Sequence, residues 1–387
     1  MSWYIPPLTA QALPEPPGGR HWAIGLVAVL GTATMLTLLF WPGGASRRVP
    51  LFWVCAVAIP ALVWALVFLT RVAVYMLNRS WVLAANDGMH AELTRWHGWA
   101  RSRMAVLACC SVTPEPDLIA RLTGRMGSAP FNPGRALRLQ QLTDDDRQAQ
   151  LVGMLIEQIL PALKQLQGPV AVLVLPTEHG ALPDVAHAIN AAWHNARIAA
   201  AAEITLLTEW PGPPETWPPA TKTTPYLLLG LQLAAPRKST ALTESGFALL
   251  LGSAQAAQAQ GLLPAAWLYR AMPLECASVE GDLAELLHIQ RPSQPVQALW
   301  SSNLPQALHN SLMVAAQAHA LDLQPRAGFA SVCVLEKVLG PCGDAGPWLA
   351  LVLAVEALRA ANQSGLLATA RATGDAFLQL IEPTHHA

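Results

Sequence analysis

The chain has 387 residues, 53 % of them hydrophobic and only 13 % charged, with a formal net charge of −1. Soluble domains carry roughly 25 % charge, so this apolarity calls for membrane segments or an exceptionally large buried core. A near-neutral chain without a basic patch excludes nucleic acid as a partner.

In chain order, residues 1–20 are rich in proline and read as an extended tail. Trp22–Trp41 is a 20-residue run without a charge, bounded by tryptophans. A bilayer core takes about 20 apolar residues, and tryptophan favours its interface. Leu51–Leu77 is a second and longer run, with Arg71 near its end and Pro60 inside, where a kink is expected. Together they predict a transmembrane hairpin over residues 21–77, with Trp22, Trp41 and Trp81 as interfacial anchors. A secretory signal fits less well, because the first run is too long and a second follows at once. A hairpin places both termini on one side. Arg20, Arg79, Arg95, Arg101 and Arg103 outnumber Arg47 and Arg48 of the connecting loop. The positive-inside rule therefore puts the large domain in the cytoplasm, although Arg47 and Arg48 oppose it.

Residues 78–103 carry Trp81, Trp96 and Trp99 among several arginines. Two readings stand for these tryptophans: a juxtamembrane interfacial segment, or part of the folded domain's core. From Met104 to the end, apolar strand-like runs alternate with helical patterns. Strands are expected at 104–112, 169–176, 202–208, 226–234, 247–253, 266–272, 297–300 and 331–340. Helices are expected after Asp144–Asp146, over 181–198, 254–261, 280–290 and 304–323, and from Gly346 onward. Residues 209–225 are too rich in proline to be other than a loop. The pattern predicts a largely buried mixed sheet with helices on both faces.

Six cysteines show no CxxC or Cys/His spacing, so buried reduced thiols and no metal site are expected. No phosphate-binding or dinucleotide loop occurs, and no cofactor is expected. The glycine turn with Gly340, Gly343 and Gly346 follows an apolar strand and opens a long apolar helix. That geometry can offer N–H groups to an anion. Pro341, however, removes one donor, and Asp344 brings like charge. His179 lies just past a predicted strand, near Glu178 and Asp184, so an acid/base group is conceivable there. An ordinary polar loop competes with that reading. His187 and His194 share one helix face without a completing carboxylate. His309 and His319 fall on different faces, and His385 and His386 belong to the tail. Ser111 and Ser253 lack a nucleophile elbow.

Two stretches together resemble the β-ketoacyl synthase pattern of the thiolase-like superfamily. One is "ESGFALLLGSAQAAQAQG", Glu244–Gly261; the other is "GDAGPWLALVLAVEAL", Gly343–Leu358. The resemblance covers residues 100–387. It implies an α/β fold: two N-terminal transmembrane helices, then a thiolase-like layered α/β/α domain with mixed sheets over 104–387. It also implies a unit repeated twice, in members that usually pair as homodimers. The family's catalytic Cys and two His do not carry over. Cys109 and Cys110 come too early, and Cys276 and Cys333 lack the strand-to-helix elbow. The first His would fall within residues 297–306, where there is none, and the second on Gly340 or Pro341. The exit segment from Asn78 with this domain also resembles membrane-anchored adaptors of bacterial type VI secretion, which are thought to hand lipase effectors to the secretion spike. The resemblance implies a non-catalytic adaptor at the bacterial inner membrane, whose partners are the bilayer and a secreted effector or spike protein. Two other readings stay open: a membrane-tethered acyltransferase or hydrolase acting on lipid or thioester substrates, and a structural subunit of a membrane complex.

Overall fold

The computed structural model describes residue 3 and residues 9–42, 49–143, 145–175, 182–207, 224–234, 242–324, 329–371 and 374–384. The chain divides into two compact units, residues 5–97 and residues 1–4 with 98–387.

In the smaller unit, α1 is Gly19–Phe40. A continuous helical rod follows: α2 Pro50–Trp53, a π-helical turn Val54–Ala58, and α3 from Ile59 to Ala100. Both helices are long and apolar enough to cross a membrane, with mean hydropathies of 2.2 and 2.5 in their most apolar windows. The π turn sits just before Pro60. Proline has no N–H and frees the carbonyl four residues back, which is that of Ala56. Thr34 on α1 reaches that carbonyl at 3.4 Å while bonding Leu30 O at 2.7 Å. Trp22 packs edge-on against Trp64 and Phe68, and Trp41 against Phe52.

The rod continues through the segment expected to be interfacial, so residues 78–100 are helix. Gln11 of the proline-rich tail exchanges two hydrogen bonds with Asn86 on it, at 3.0 and 3.1 Å. The tryptophans of this segment divide. Trp81 is exposed. Trp99 belongs to the folded domain, where it meets Trp3 edge-on and carries Arg270 over its ring at 4.4 Å. Trp3 is itself buried and donates to Ala271 O.

The larger unit is an 11-stranded mixed sheet with helices. In chain order it holds β1 Arg103–Val112, α4 Leu118–Leu122, α5 Arg147–Leu163, β2 Val170–Val174, α6 Leu182–Asn195, β3 Ala202–Leu206, β4 Tyr226–Gln232 and β5 Ser245–Gly252. There follow α7 Ala254–Ala259, β6 Ala266–Tyr269, β7 Met272–Leu274, α8 Val279–Gln290, β8 Val296–Ser302 and α9 Gln306–Ala318. The chain closes with β9 Val332–Val334, α10 Leu335–Leu339, α11 Gly346–Ala361, β10 Ser364–Ala370 and β11 Ala376–Pro383.

Strand order shows a duplication. The first five strands run β3-β2-β4-β5-β1. The last five, leaving aside the short β7, run β9-β8-β10-β11-β6. Numbered within each half, both orders are 3-2-4-5-1. In each half strands two, three and four are parallel and strand five is antiparallel to its neighbours. The halves meet through their first strands, which pair antiparallel, Arg103 with Tyr269 and Val106 with Ala266. Antiparallel pairing of equivalent strands is what a two-fold relation demands. This is the repeated unit that the thiolase-like resemblance implies.

Side-chain alternation places the layers. On β5, Phe247, Leu249 and Leu251 join one core with α11, whereas Ala248 and Leu250 join another with α5 and α6. Ala298, Trp300 and Leu367 of the second half face the same α11 core. The helix therefore lies between two sheet faces, which explains its nearly unbroken apolar sequence.

Three expectations are corrected. The strand expected at 331–340 is β9 for three residues and then α10, so the glycine turn leaves a helix. The strand at 266–272 is two short strands. The helix over 304–323 stops at Ala318, because Ala320 takes a left-handed φ of 51°. Strand β10 was not anticipated at all.

Candidate functional site

The glycine turn was the strongest sequence signal, and its surroundings decide its use. Gly340 has φ 80° and Gly343 φ 55°, both left-handed, where side-chain-bearing residues are strained. A Cβ on Gly340 would lie 2.1 Å from Arg135 O, and one on Gly343 2.7 Å from a Leu242 methyl. A Cβ on Gly346 would lie 2.7 Å from Ser302 Oγ. The glycines make room for the protein's own chain.

Hydrogen bonds complete the closure. Thr243 donates its N–H to Pro341 O at 2.7 Å and its hydroxyl to Leu339 O at 2.6 Å. Asn132 donates its N–H to Lys337 O and its amide to Val338 O. From the end of β8, Ser302 Oγ and Asn303 N–H both donate to Glu336 Oε1, at 2.7 and 2.8 Å, and Asn303 Nδ2 donates to Gly343 O at 2.7 Å. The Gly340 N–H caps α10 on Glu336 O. Ser302, Asn303, Glu336 and the turn are thus hydrogen-bonded to one another. Sequence reasoning missed Asn132, Thr243 and Asn303, since each reaches the turn from a distant segment without a local motif.

The thiols are equally closed. Cys109, Cys110, Cys333 and Cys342 lie in the domain's interior. Burial pushes all four thiols up, Cys110 and Cys333 to about 12. The thiolate is the nucleophile, and these sites disfavour it. Cys276 alone among the domain's cysteines is exposed, and it lies between β7 and α8.

Of the acid/base candidates, His179 and Glu178 lie outside the described residues. Asp184 is exposed in the first turn of α6. With His187 it lines an open groove of about 870 Å³ between α5 and α6. His194 is exposed on the same helix. His309 Nδ1 lies 3.4 Å from Ser301 Oγ, and burial, helped by Lys337, lowers its pKa. Among the described residues no group of three or more His, Cys, Asp or Glu could hold a metal ion.

No family model matches the chain, and no curated protein does. Solved structures similar to it include the oxazolomycin ketosynthase domain of Streptomyces albus JA3453, at 14 % identity and a TM-score of 0.45, covering 73 % of this chain and 96 % of that one. A type II polyketide ketosynthase in complex with its acyl-carrier protein is similar at 11 % identity and a TM-score of 0.48, covering 73 % and 100 %. Human mitochondrial 3-ketoacyl-CoA thiolase is similar at 9 % identity and a TM-score of 0.40, covering 74 % and 99 %. None of these similarities bears on what this chain binds or does.

Proposed function

We propose that the chain is a membrane-anchored, non-catalytic adaptor whose thiolase-like domain binds a protein partner, with effector loading in bacterial type VI secretion as its setting. One observation carries the reading: the glycine turn, the best-formed candidate for an oxyanion site, is packed at Gly340 against the carbonyl of Arg135, and its own carbonyls are tied off by Thr243, Asn132 and Asn303. Condensing chemistry needs a thiolate, a group to activate it and donors aimed at a developing oxyanion. Here the thiols are held protonated, and two of the turn's N–H groups, of Gly340 and Gly346, are spent on Glu336 O and Gly343 O. Anchoring draws support from α1 and the α2–α3 rod. The seat of Trp3 on the folded domain fits a two-span hairpin, because it keeps the tail on the domain's side of the bilayer.

The test pairs two measurements on the full-length protein in detergent. Acyl-thioesters and lipid esters should be turned over no faster than in buffer. Affinity capture from the native host should recover a secreted effector or spike protein at fixed stoichiometry. Turnover abolished by His179→Ala would replace the adaptor with the enzyme reading.

A further inference from the structure

The residues around α11 hold one feature that the adaptor reading does not use. Among the buried side chains of that helix, Glu356 is a carboxylate half-open to a cleft of about 460 Å³. The cleft lies between the end of β1, α4, α5 and α11, and its walls include Thr113, Ile119, Ala120, Arg125 and Met154. Ser111 Oγ donates to Glu356 Oε2 at 2.7 Å. Among the described residues no ion pair reaches Glu356, and its other oxygen accepts no hydrogen bond.

The remaining charges nearby are engaged or peripheral. Arg121 and Asn132 hold Glu115, each at 2.8 Å. Arg125 donates to Ala360 O at the helix end. Asp117 sits on the rim in a left-handed conformation and adds negative charge. From α5 the cleft receives Met154 and Gln158, and from β1 Ser111. Arg359 lies on α11 beyond the cleft lining.

We propose that this cleft is a slot for a basic side chain, a Lys or Arg of the protein partner, whose ammonium or guanidinium pairs with Glu356 while its methylene stem lies along Ile119, Ala120 and Met154. The inference rests on the adaptor reading for the identity of the ligand's carrier. A carboxylate set below the surface is reached by a cation on an apolar stem, which is how Lys and Arg side chains are built. A partly buried carboxylate without a counter-ion gains most from such a partner. Burial raises the Glu356 pKa to about 7, against which Ser111 works. The slot therefore takes its cation in the ionised form, above neutral pH.

The probe is n-butylguanidinium, with n-butylammonium beside it, titrated calorimetrically into the full-length protein. Saturable binding is expected at pH 8. At pH 6 it should be about tenfold weaker, as the carboxyl takes up its proton. Glu356→Gln, which keeps an acceptor for Ser111, should abolish it, and Met154→Trp should do so by filling the slot with Glu356 untouched. The absence of saturable binding, or undiminished binding in both variants, overturns the proposal. If butylguanidinium binds but no protein is captured from the host, the slot stands and the adaptor reading falls. If wild type and Glu356→Gln capture the same partner equally, the adaptor stands and the slot falls.

Discussion

Single residues in this protein take their meaning from what approaches them. Gly340 reads in the sequence as part of an anion-binding turn, yet its missing Cβ is space used by Arg135 O. Gly340→Ala should therefore act on stability. With a left-handed φ and a backbone clash, it should cost at least 3 kcal/mol, measured as a drop in the urea midpoint, with no accompanying change in any ligand binding. Glu356 makes the opposite prediction. Its folded pKa of about 7 stands above the ordinary 4.5, so the folded state binds a proton that the unfolded chain has released. Wild-type stability should fall as pH rises from about 4.5 to 7 and stay level above that. Glu356→Gln should be more stable than wild type at pH 8 by about 1–3 kcal/mol, with the difference gone below pH 4.5. A pair of unfolding curves at pH 4 and pH 8 checks this. That the family's Cys/His/His pattern does not carry over is a reading of the sequence alone, and the closure of the turn was not legible there. It depends on Asn132, Thr243 and Asn303, which come from three segments far apart in the chain.

At the scale of elements, strongly patterned segments were readable and short ones were not. The α5 helix shows its apolar face directly, with Leu151, Leu155, Ile156 and Ile159 all buried. In "VCVLEKVLG" the apolar positions suit a strand or a helical turn equally well. The chain uses both, because parallel pairing with β8 ends at Val334. The β10 segment, "SGLLATA", gave little signal because its small residues lie in a central strand buried on both faces. In the hairpin, Pro60 announced a break, but the answering group lies 26 residues earlier, on α1. Thr34→Val should loosen the packing of α1 on the π turn by about 0.5–1 kcal/mol. Pro60→Ala should cancel that loss by restoring the Ala56 carbonyl to its helix. A double-mutant cycle on hairpin stability in micelles reads the coupling.

For the whole molecule, the layered α/β class followed from the alternation of elements, whereas the repeated unit followed from the resemblance alone. The halves share strand order, and the second fills its three-to-four connection with a buried helix, α11. The corresponding connection of the first half, residues 207–225, carries six prolines and lies mostly outside the described residues. The proposed membrane anchoring, and the side on which it holds the domain, are open to a native probe, the exposed thiol of Cys276. With a cytoplasmic domain, a membrane-impermeant maleimide should label Cys276 in inverted vesicles and not in spheroplasts. The most direct test of a closed, non-catalytic site is intact-mass analysis of the purified full-length protein after incubation with a panel of acyl-thioesters. The account predicts an unchanged mass and background thioester hydrolysis. An acyl adduct on any of Cys109, Cys110, Cys333 or Cys342 would contradict it.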